Sequence, residues 1–378
     1  MLNKIKRFIV SEHLLRVDAL YLVALSGGAD SVALLLCLKE LGYRVEAVHC
    51  NFHLRGEESL RDELFCEDLC QRENIPLHKA HFDTQAYADL HKVSIEMAAR
   101  ELRYRYFFQL KEALGADGVC VGHHKEDSVE TILINLVRGT GLSGLMGIRP
   151  RNNDVIRPLL CVTRQEIEDY LQKYAVSFVI DSTNLVDDVV RNKIRLNVLP
   201  QLSEINPSVT DAILTTANHL SEVDAIVQES LKTALGKAVS FINSATQVSS
   251  NSLSSEPFQL DLSVVRAFPS PSYLLFYILK PLGFSSSQVA EMVSHLDGQT
   301  GQLWYSSTHE LTHDRGVFMV LLREEAEPRQ LVIPETGRYV YDEQLSLRLT
   351  ERALTPSSKV SFSKNPMIVD LDAASIRF

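Results

Sequence analysis

From residue 20 onward, short apolar runs alternate with longer stretches whose apolar residues recur every three or four positions. Tyr21–Leu25 is a compact apolar run that ends at Ser26-Gly27-Gly28. A helical pattern follows from Asp30 to Leu41, and Gly42 is placed to end it. Arg44–His49 alternates polar and apolar residues, the period of a strand. Glu57–Asn74 reads as a charged amphipathic helix with Pro76 beyond its end, and Leu77–Phe82 as a weaker strand. Ser94–Leu114 reads as a long helix stopped by Gly115, and Asp117–Val121 as a strand, followed by His123-His124 and a helix to Arg138. Thr163 and Glu166 form a capping box that opens one more. Strands separated by helical patterns predict an α/β fold, a Rossmann-like parallel sheet with helices on both faces.

Asn206-Pro207 breaks this rhythm. Helical patterns follow at about Val209–Leu235, Ser272–Leu279 and Ser287–Leu296, with a Ser-rich stretch, Ser244–Ser255, that reads as a flexible loop. Residues 303–350 look like short strands. The expected organisation is therefore a first domain over 1–205, a mainly helical second domain over 206–330, and a small β-containing end over 331–378.

With 378 residues, 45% apolar and 23% charged, the chain has the make-up of a globular protein with a sizeable core. Its net charge of −10 counts mildly against a nucleic-acid partner. Local patches run the other way. Arg138, Arg149, Arg151, Arg157 and Arg164 share one stretch with only Asp154, and Arg191, Lys193 and Arg195 form a second cluster. Such patches suit phosphates, or are simply solvated surface. The six cysteines form no Cys-x-x-Cys pair, and several sit in apolar runs, which fits a reduced intracellular setting. Met1–Val10 lacks the apolar core of a signal peptide. No run approaches the ~18 apolar residues of a membrane span. A cytoplasmic protein with no membrane association is expected.

The sharpest chemical signal is Ser26-Gly27-Gly28-Ala29-Asp30-Ser31, set between a strand and a helix. Unpaired N–H groups at a helix start bind anions, and glycines let the backbone approach a phosphate. Asp30 is out of place beside phosphates unless it binds a metal such as Mg²⁺. The segment is neither G-x-x-x-x-G-K-[ST] nor G-x-G-x-x-G. A tight turn with a helix cap is the plain alternative.

The hexamer resembles the S-G-G-x-D-S loop of the N-type ATP-pyrophosphatases. Further segments resemble the tRNA(Ile)-lysidine synthase family in particular. His49-Cys50-Asn51-Phe52-His53-Leu54-Arg55 is similar to its H-x-N-H-x-L-R, with Phe52-His53 where the family often has His-Gly. Glu96 to Tyr104 is similar to E-x-x-A-R-x-x-R-Y, and His123 to Thr131 to H-H-x-D-D-x-x-E-T, with Glu126 replacing the first Asp. Arg157-Pro158-Leu159-Leu160, Asp181 to Asn184 and Arg191-Asn192-Lys193-Ile194-Arg195 complete the set, which spans about residues 20–205. The likeness to the family's helical domain is looser. A further small domain common in the family is expected to be absent or cut short at Ile376-Arg377-Phe378.

The resemblance implies a ligase that adenylates the wobble cytidine of a CAU-anticodon tRNA(Ile) with ATP and Mg²⁺, then attaches L-lysine. It implies Ser26, Gly27, Gly28, Ala29, Asp30, Ser31, His49 and Arg100 at ATP, with Asp30 also as metal ligand. His123, Asp127 and Glu130 are expected at lysine, the two acids and Asp30 being catalytic. Arg191, Lys193 and Arg195 are expected on tRNA, and a homodimer is compatible with the sequence.

Read from spacing, His123, Asp127 and Glu130 share one helix face, which is either a site for a cationic substrate or an exposed acidic face. Arg100 and Arg103 suit phosphate or carboxylate, or pair with Glu96 and Glu101. His49, Asn51 and His53 border the adenine or cap a loop. His123, His124 and Asp127 lack a further ligand at structural-zinc spacing. The rivals are a tRNA thiolase with the same loop, which calls for cysteines this chain does not place in pairs, and a non-catalytic tRNA- or nucleotide-binding protein.

Overall fold

The computed structural model describes residues 1–179, 190–242, 250–298, 300–323, 337–340 and 346–350. Asp181 to Asn184, and most of the expected β-containing end over 331–378, lie outside the described residues. The chain divides into two compact units, Met1–Glu229 and Ser230–Phe378.

The first unit is built on helix α1 (Leu2–Ser11), strand β1 (Leu20–Ala24), α2 (Ala29–Glu40), β2 (Arg44–Asn51), α3 (Glu57–Arg72) and β3 (Leu77–His81). It continues through α4 (Thr84–His91), α5 (Ile95–Leu114), β4 (Gly118–Cys120), α6 (Lys125–Arg138) and the single turn α7 (Leu142–Leu145). The short strands β5 (Arg151–Asn152) and β6 (Val155–Ile156) follow, then α8 (Arg164–Lys173). Next come α9 (Val190–Lys193), a π-helical stretch Ile194–Val198, α10 (Leu199–Ile205) and the long α11 (Val209–Ala238), which runs into the second unit.

The strand order is β3-β2-β1-β4-β6-β5, parallel except for the β5–β6 pair. Alternation along β1 explains why both faces are covered. Tyr21 and Val23 enter one apolar cluster with Ile5 and Ile9 of α1, Val32 and Leu35 of α2, Cys66 of α3 and Ile167 of α8. Leu22 enters the opposite cluster with Val48, Val119 and Phe107 of α5. The expected α/β sheet with helices on both faces is the observed one. The chain leaves β1 toward β2 on one side and returns to β4 on the other. The gap between the ends of β1 and β4 is thus a topological switch point, where open α/β sheets bind ligands.

The second unit holds α12 (Ser250–Ser255), α13 (Leu262–Ala267), α14 (Pro271–Leu279) and α15 (Ser286–Ser294). Its antiparallel sheet has the order β7-β8-β11-β10-β9, from β7 (Val239–Phe241), β8 (Phe258–Asp261), β9 (Leu303–Tyr305), β10 (His309–Asp314) and β11 (Val317–Leu322). Arg315 and Gly316 both take positive φ, the geometry of a two-residue hairpin turn between β10 and β11. A separate pair, β12 (Gly337–Val340) and β13 (Ser346–Leu349), is also antiparallel. Ser250–Ser255 is helical, whereas the sequence reading placed it in a loop. Its serines look like linker composition, while Leu253 within it is buried.

Candidate active site

The Ser26–Ser31 loop sits at the switch point. Gly27 holds φ +90°, a conformation side chains disfavour. Gly28 is the N-cap of α2 and no side chain caps that helix. Ser31 Oγ receives the Ser26 N–H at 3.1 Å and donates to the Gly28 carbonyl at 2.9 Å, so the two serines fix the turn internally. The first turn of α2 therefore keeps backbone donors for an anion. Gly122, just past β4, presses on the same turn: a Cβ there would lie 3.0 Å from the Asp30 carbonyl carbon and 3.1 Å from the Ser31 nitrogen.

Around this turn the chain gathers charged side chains from four elements. Arg164 Nη1, on the first turn of α8, contacts both Asp30 carboxylate oxygens at 2.7 Å. His124 Nε2 lies 3.9 Å from Asp30 Oδ1 and 3.5 Å from Asp127 Oδ2. Its Nδ1 meets Glu126 Oε2 at 2.8 Å. Asp127 Oδ2 also accepts the His124 backbone N–H at 3.0 Å. Glu130 is 0% exposed. It is neutralised by Arg195, whose Nε and Nη2 donate to Oε1 at 2.6 Å and Oε2 at 3.1 Å, and by Arg191 Nη1 at 3.2 Å. Arg195 lies on the π-helical stretch, a backbone irregularity that often marks functional positions.

Burial raises the Asp30 carboxyl above its usual range, although His124 and Arg164 oppose the rise. Burial alone would depress His124, but the Glu126 hydrogen bond and the nearby Asp127 and Asp30 charges outweigh it and raise this histidine. His123 goes the other way. Burial lowers it to about 4 against the pull of Asp127, and Arg157 and Arg191 add to the drop. Arg157 Nε donates to His123 Nδ1 at 3.2 Å. A guanidinium has no acceptor, so the neutral ring carries its proton on Nε2.

The structure brings Ser26 to Ser31, Asp127, Glu130 and His123 to one end of the sheet and adds Arg164 and His124, which were not singled out for the site. Sequence spacing holds no signal for Arg164, 134 residues from its partner. The expected face of His123, Asp127 and Glu130 is changed in one respect. Helix α6 begins at Lys125 with His124 as N-cap, so Asp127 and Glu130 share the face while His123 precedes it. Arg191 and Arg195 lie on these carboxylates, and Lys193 is exposed beside them.

His49 is buried, with Nδ1 at 2.9 Å from the Leu25 carbonyl, and burial lowers it below its usual value. Arg100 is exposed and stacks over Tyr104 at 4.9 Å. Asn51 supports the β2 end through Glu63 at 2.7 Å, and His53, at φ +53°, meets His81 at 3.1 Å. A cleft of about 420 Å³ opens there, lined by Phe52, His53, His81 and Phe82. All six thiols are free, and burial raises every one of them, Cys37 and Cys50 to about 12. None is a poised nucleophile, which disfavours thiolase chemistry. Among the described residues no cluster of three or more His, Cys, Asp or Glu could hold a metal ion, and no helix is long and apolar enough to cross a membrane.

A parallel sheet with an uncapped Ser-Gly-Gly turn at its switch point defines a PP-loop protein, and a PP-loop domain model matches residues 2–202. A TilS substrate binding domain model matches residues 254–323. A curated tRNA(Ile)-lysidine synthase from Bacteroides thetaiotaomicron is 43% identical over 374 residues, covering 98% of this chain and 80% of that protein. Its counterpart from Parabacteroides distasonis is 42% identical over 373 residues, covering 98% and 81%. The chain belongs to the tRNA(Ile)-lysidine synthase family.

Proposed function

We propose that this chain is an ATP-dependent, AMP-forming ligase that converts the wobble cytidine of a CAU-anticodon tRNA(Ile) to lysidine. The observation that carries the reading is the uncapped start of α2 facing a cluster in which Asp30, Asp127 and Glu130 are held by arginines.

In the first step the C2 oxygen of cytidine attacks the α-phosphorus of ATP, and the bond to the β-phosphate breaks. The amides of the Gly27–Ser31 turn bind the departing pyrophosphate, and preorganised donors stabilise the charge that develops there. No cluster among the described residues would hold a cation alone, but Asp30 offers one carboxylate, now turned to the guanidinium of Arg164, which together with substrate phosphates suits Mg²⁺. Asp30 would hold Mg²⁺, which supplies charge neutralisation to the phosphates.

In the second step the lysine ε-amine attacks C2 and AMP leaves. Zwitterionic lysine matches the second cluster, because an ammonium group would meet Asp127 while its carboxylate suits Arg191, Arg195 and the Nε2–H of His123, the two arginines being held from beneath by the buried Glu130. The ε-amine, with a free pKa of roughly 10.4, must lose a proton before it attacks. Asp127, joined to Asp30 through His124 Nε2, takes it. Lys193 stays free for tRNA phosphate. Incubation with ATP, labelled lysine and tRNA(Ile) bearing CAU should leave label on the tRNA, and Asp30→Ala should abolish AMP release. Unlabelled tRNA under those conditions refutes the reading.

A further inference from the structure

Arg164 is tied at both ends. Its backbone N–H donates to Glu126 Oε2 at 3.1 Å, and the Thr163–Glu166 capping box fixes the turn that carries it. Its guanidinium spans two carboxylates: Nε donates to Glu168 Oε1 at 2.7 Å, one helical turn on, and Nη1 covers both oxygens of Asp30. The contact is open to solvent on one side, with the side chains of Arg164 and Asp30 39% and 28% exposed.

A guanidinium is a planar fork whose edges act separately, so the Nε edge can keep Glu168 while the other edge changes partner. A divalent cation on Asp30 would sit against that edge, and like charges at such a range repel strongly. A triphosphate offers the displaced edge several anionic acceptors in exchange.

We propose that Arg164 exchanges partners during the catalytic cycle: it neutralises Asp30 while the phosphate loop is empty and moves onto the triphosphate when nucleotide enters, leaving Asp30 to the divalent cation. Arg164 then makes metal binding at Asp30 conditional on nucleotide. The inference rests on the ATP-dependent reading above.

The test measures binding, not turnover, on the full chain by titration calorimetry. Mn²⁺ alone should bind Arg164→Gln at least tenfold more tightly than the parent chain. ATP in excess EDTA should bind Arg164→Gln at least tenfold more weakly. Asp30→Asn, which frees the guanidinium, should bind metal-free ATP more tightly than the parent. If Arg164→Gln stays within twofold of the parent in either titration, the exchange is overturned. Should that variant fail to fold by circular dichroism, Asp30→Asn decides alone: unchanged or weaker metal-free ATP binding overturns the proposal. A parent chain that binds no ATP even with Mn²⁺ would instead remove the functional reading beneath it.

Discussion

Glu130 and its two arginines are unequal partners. The carboxylate is fully buried, whereas the side chains of Arg191 and Arg195 keep 38% and 36% exposure. Removing the acid lets both arginines turn to water; removing both arginines strands a charge in the interior. Glu130→Gln is therefore expected to cost about 1–2 kcal/mol of unfolding free energy. Arg191→Met with Arg195→Met should cost about 3 kcal/mol or more. Urea denaturation checks the order, and a larger loss for Glu130→Gln would contradict the burial argument. The two adjacent histidines make a second residue-scale case. His123 is depressed to about 4, so it stays neutral in the fold while the unfolded chain takes up a proton below its ordinary pKa of roughly 6.5. The unfolded state then binds more protons, and stability falls as pH drops from about 6.5 toward 4. His124 is raised, so its contribution is complete at low pH and is lost as pH climbs through its folded value. His123→Gln should flatten the acid limb of the stability profile, while His124→Gln should leave that limb in place and remove the loss of stability as pH climbs through the folded value of His124. NMR titration of the imidazole carbons should find His124 charged at a pH where His123 is not.

At the scale of elements, the first loop is a joint between two strands and a helix, and one glycine closes it. A Cβ on Gly122 would meet backbone of Asp30 and Ser31, which cannot rotate away as a side chain can. Gly122→Ala should push the start of α2 from the end of β4, costing about 1–3 kcal/mol of stability. It should also raise the KM for ATP at least tenfold. An unchanged KM would mean the turn is not where the phosphates sit. The major elements were legible because each carries its own period and its own stop. Leu22 faces one way and Tyr21 and Val23 the other; Gly42 and Gly115 lie beyond the ends of α2 and α5. What escaped was short or was set by tertiary contact. β5 and β6 are two residues each, and they pair only because β6 docks on β4. Helix α1 precedes any strand, and its inward face, Ile5 and Ile9 with Leu2 and Phe8 beside them, is defined by the core it packs on. The face of Asp127 and Glu130 was extended back to His123, two residues before α6 begins, because His123 has helical spacing to Asp127, while the cap at His124 is visible only in its hydrogen bonds.

At the scale of the whole molecule, charge is the informative quantity. The loop and the shared face of Asp127 and Glu130 were legible in the sequence, but the arginines that neutralise Asp30, Asp127 and Glu130 were not, since ion pairs across 61 to 134 residues leave no periodic trace. The basic segments that looked alike in sequence divide in the structure. Arg157, Arg164, Arg191 and Arg195 turn inward onto His123, Asp30, Asp127 and Glu130, whereas Arg138, Arg149 and Lys193 are exposed. A chain with net charge −10 repels tRNA over most of its surface, so binding must be concentrated where cations are not already spent on carboxylates. Each lost phosphate contact lowers the slope of log affinity against log salt by roughly 0.7–0.9. Arg138→Ala with Arg149→Ala should therefore weaken tRNA binding and lower that slope by about 1–2, while ATP binding in the absence of tRNA stays unchanged. Filter binding from 50 to 200 mM salt measures both quantities. A slope equal to the parent's would place the tRNA backbone away from this stretch, with Lys193 and the second unit left to hold it.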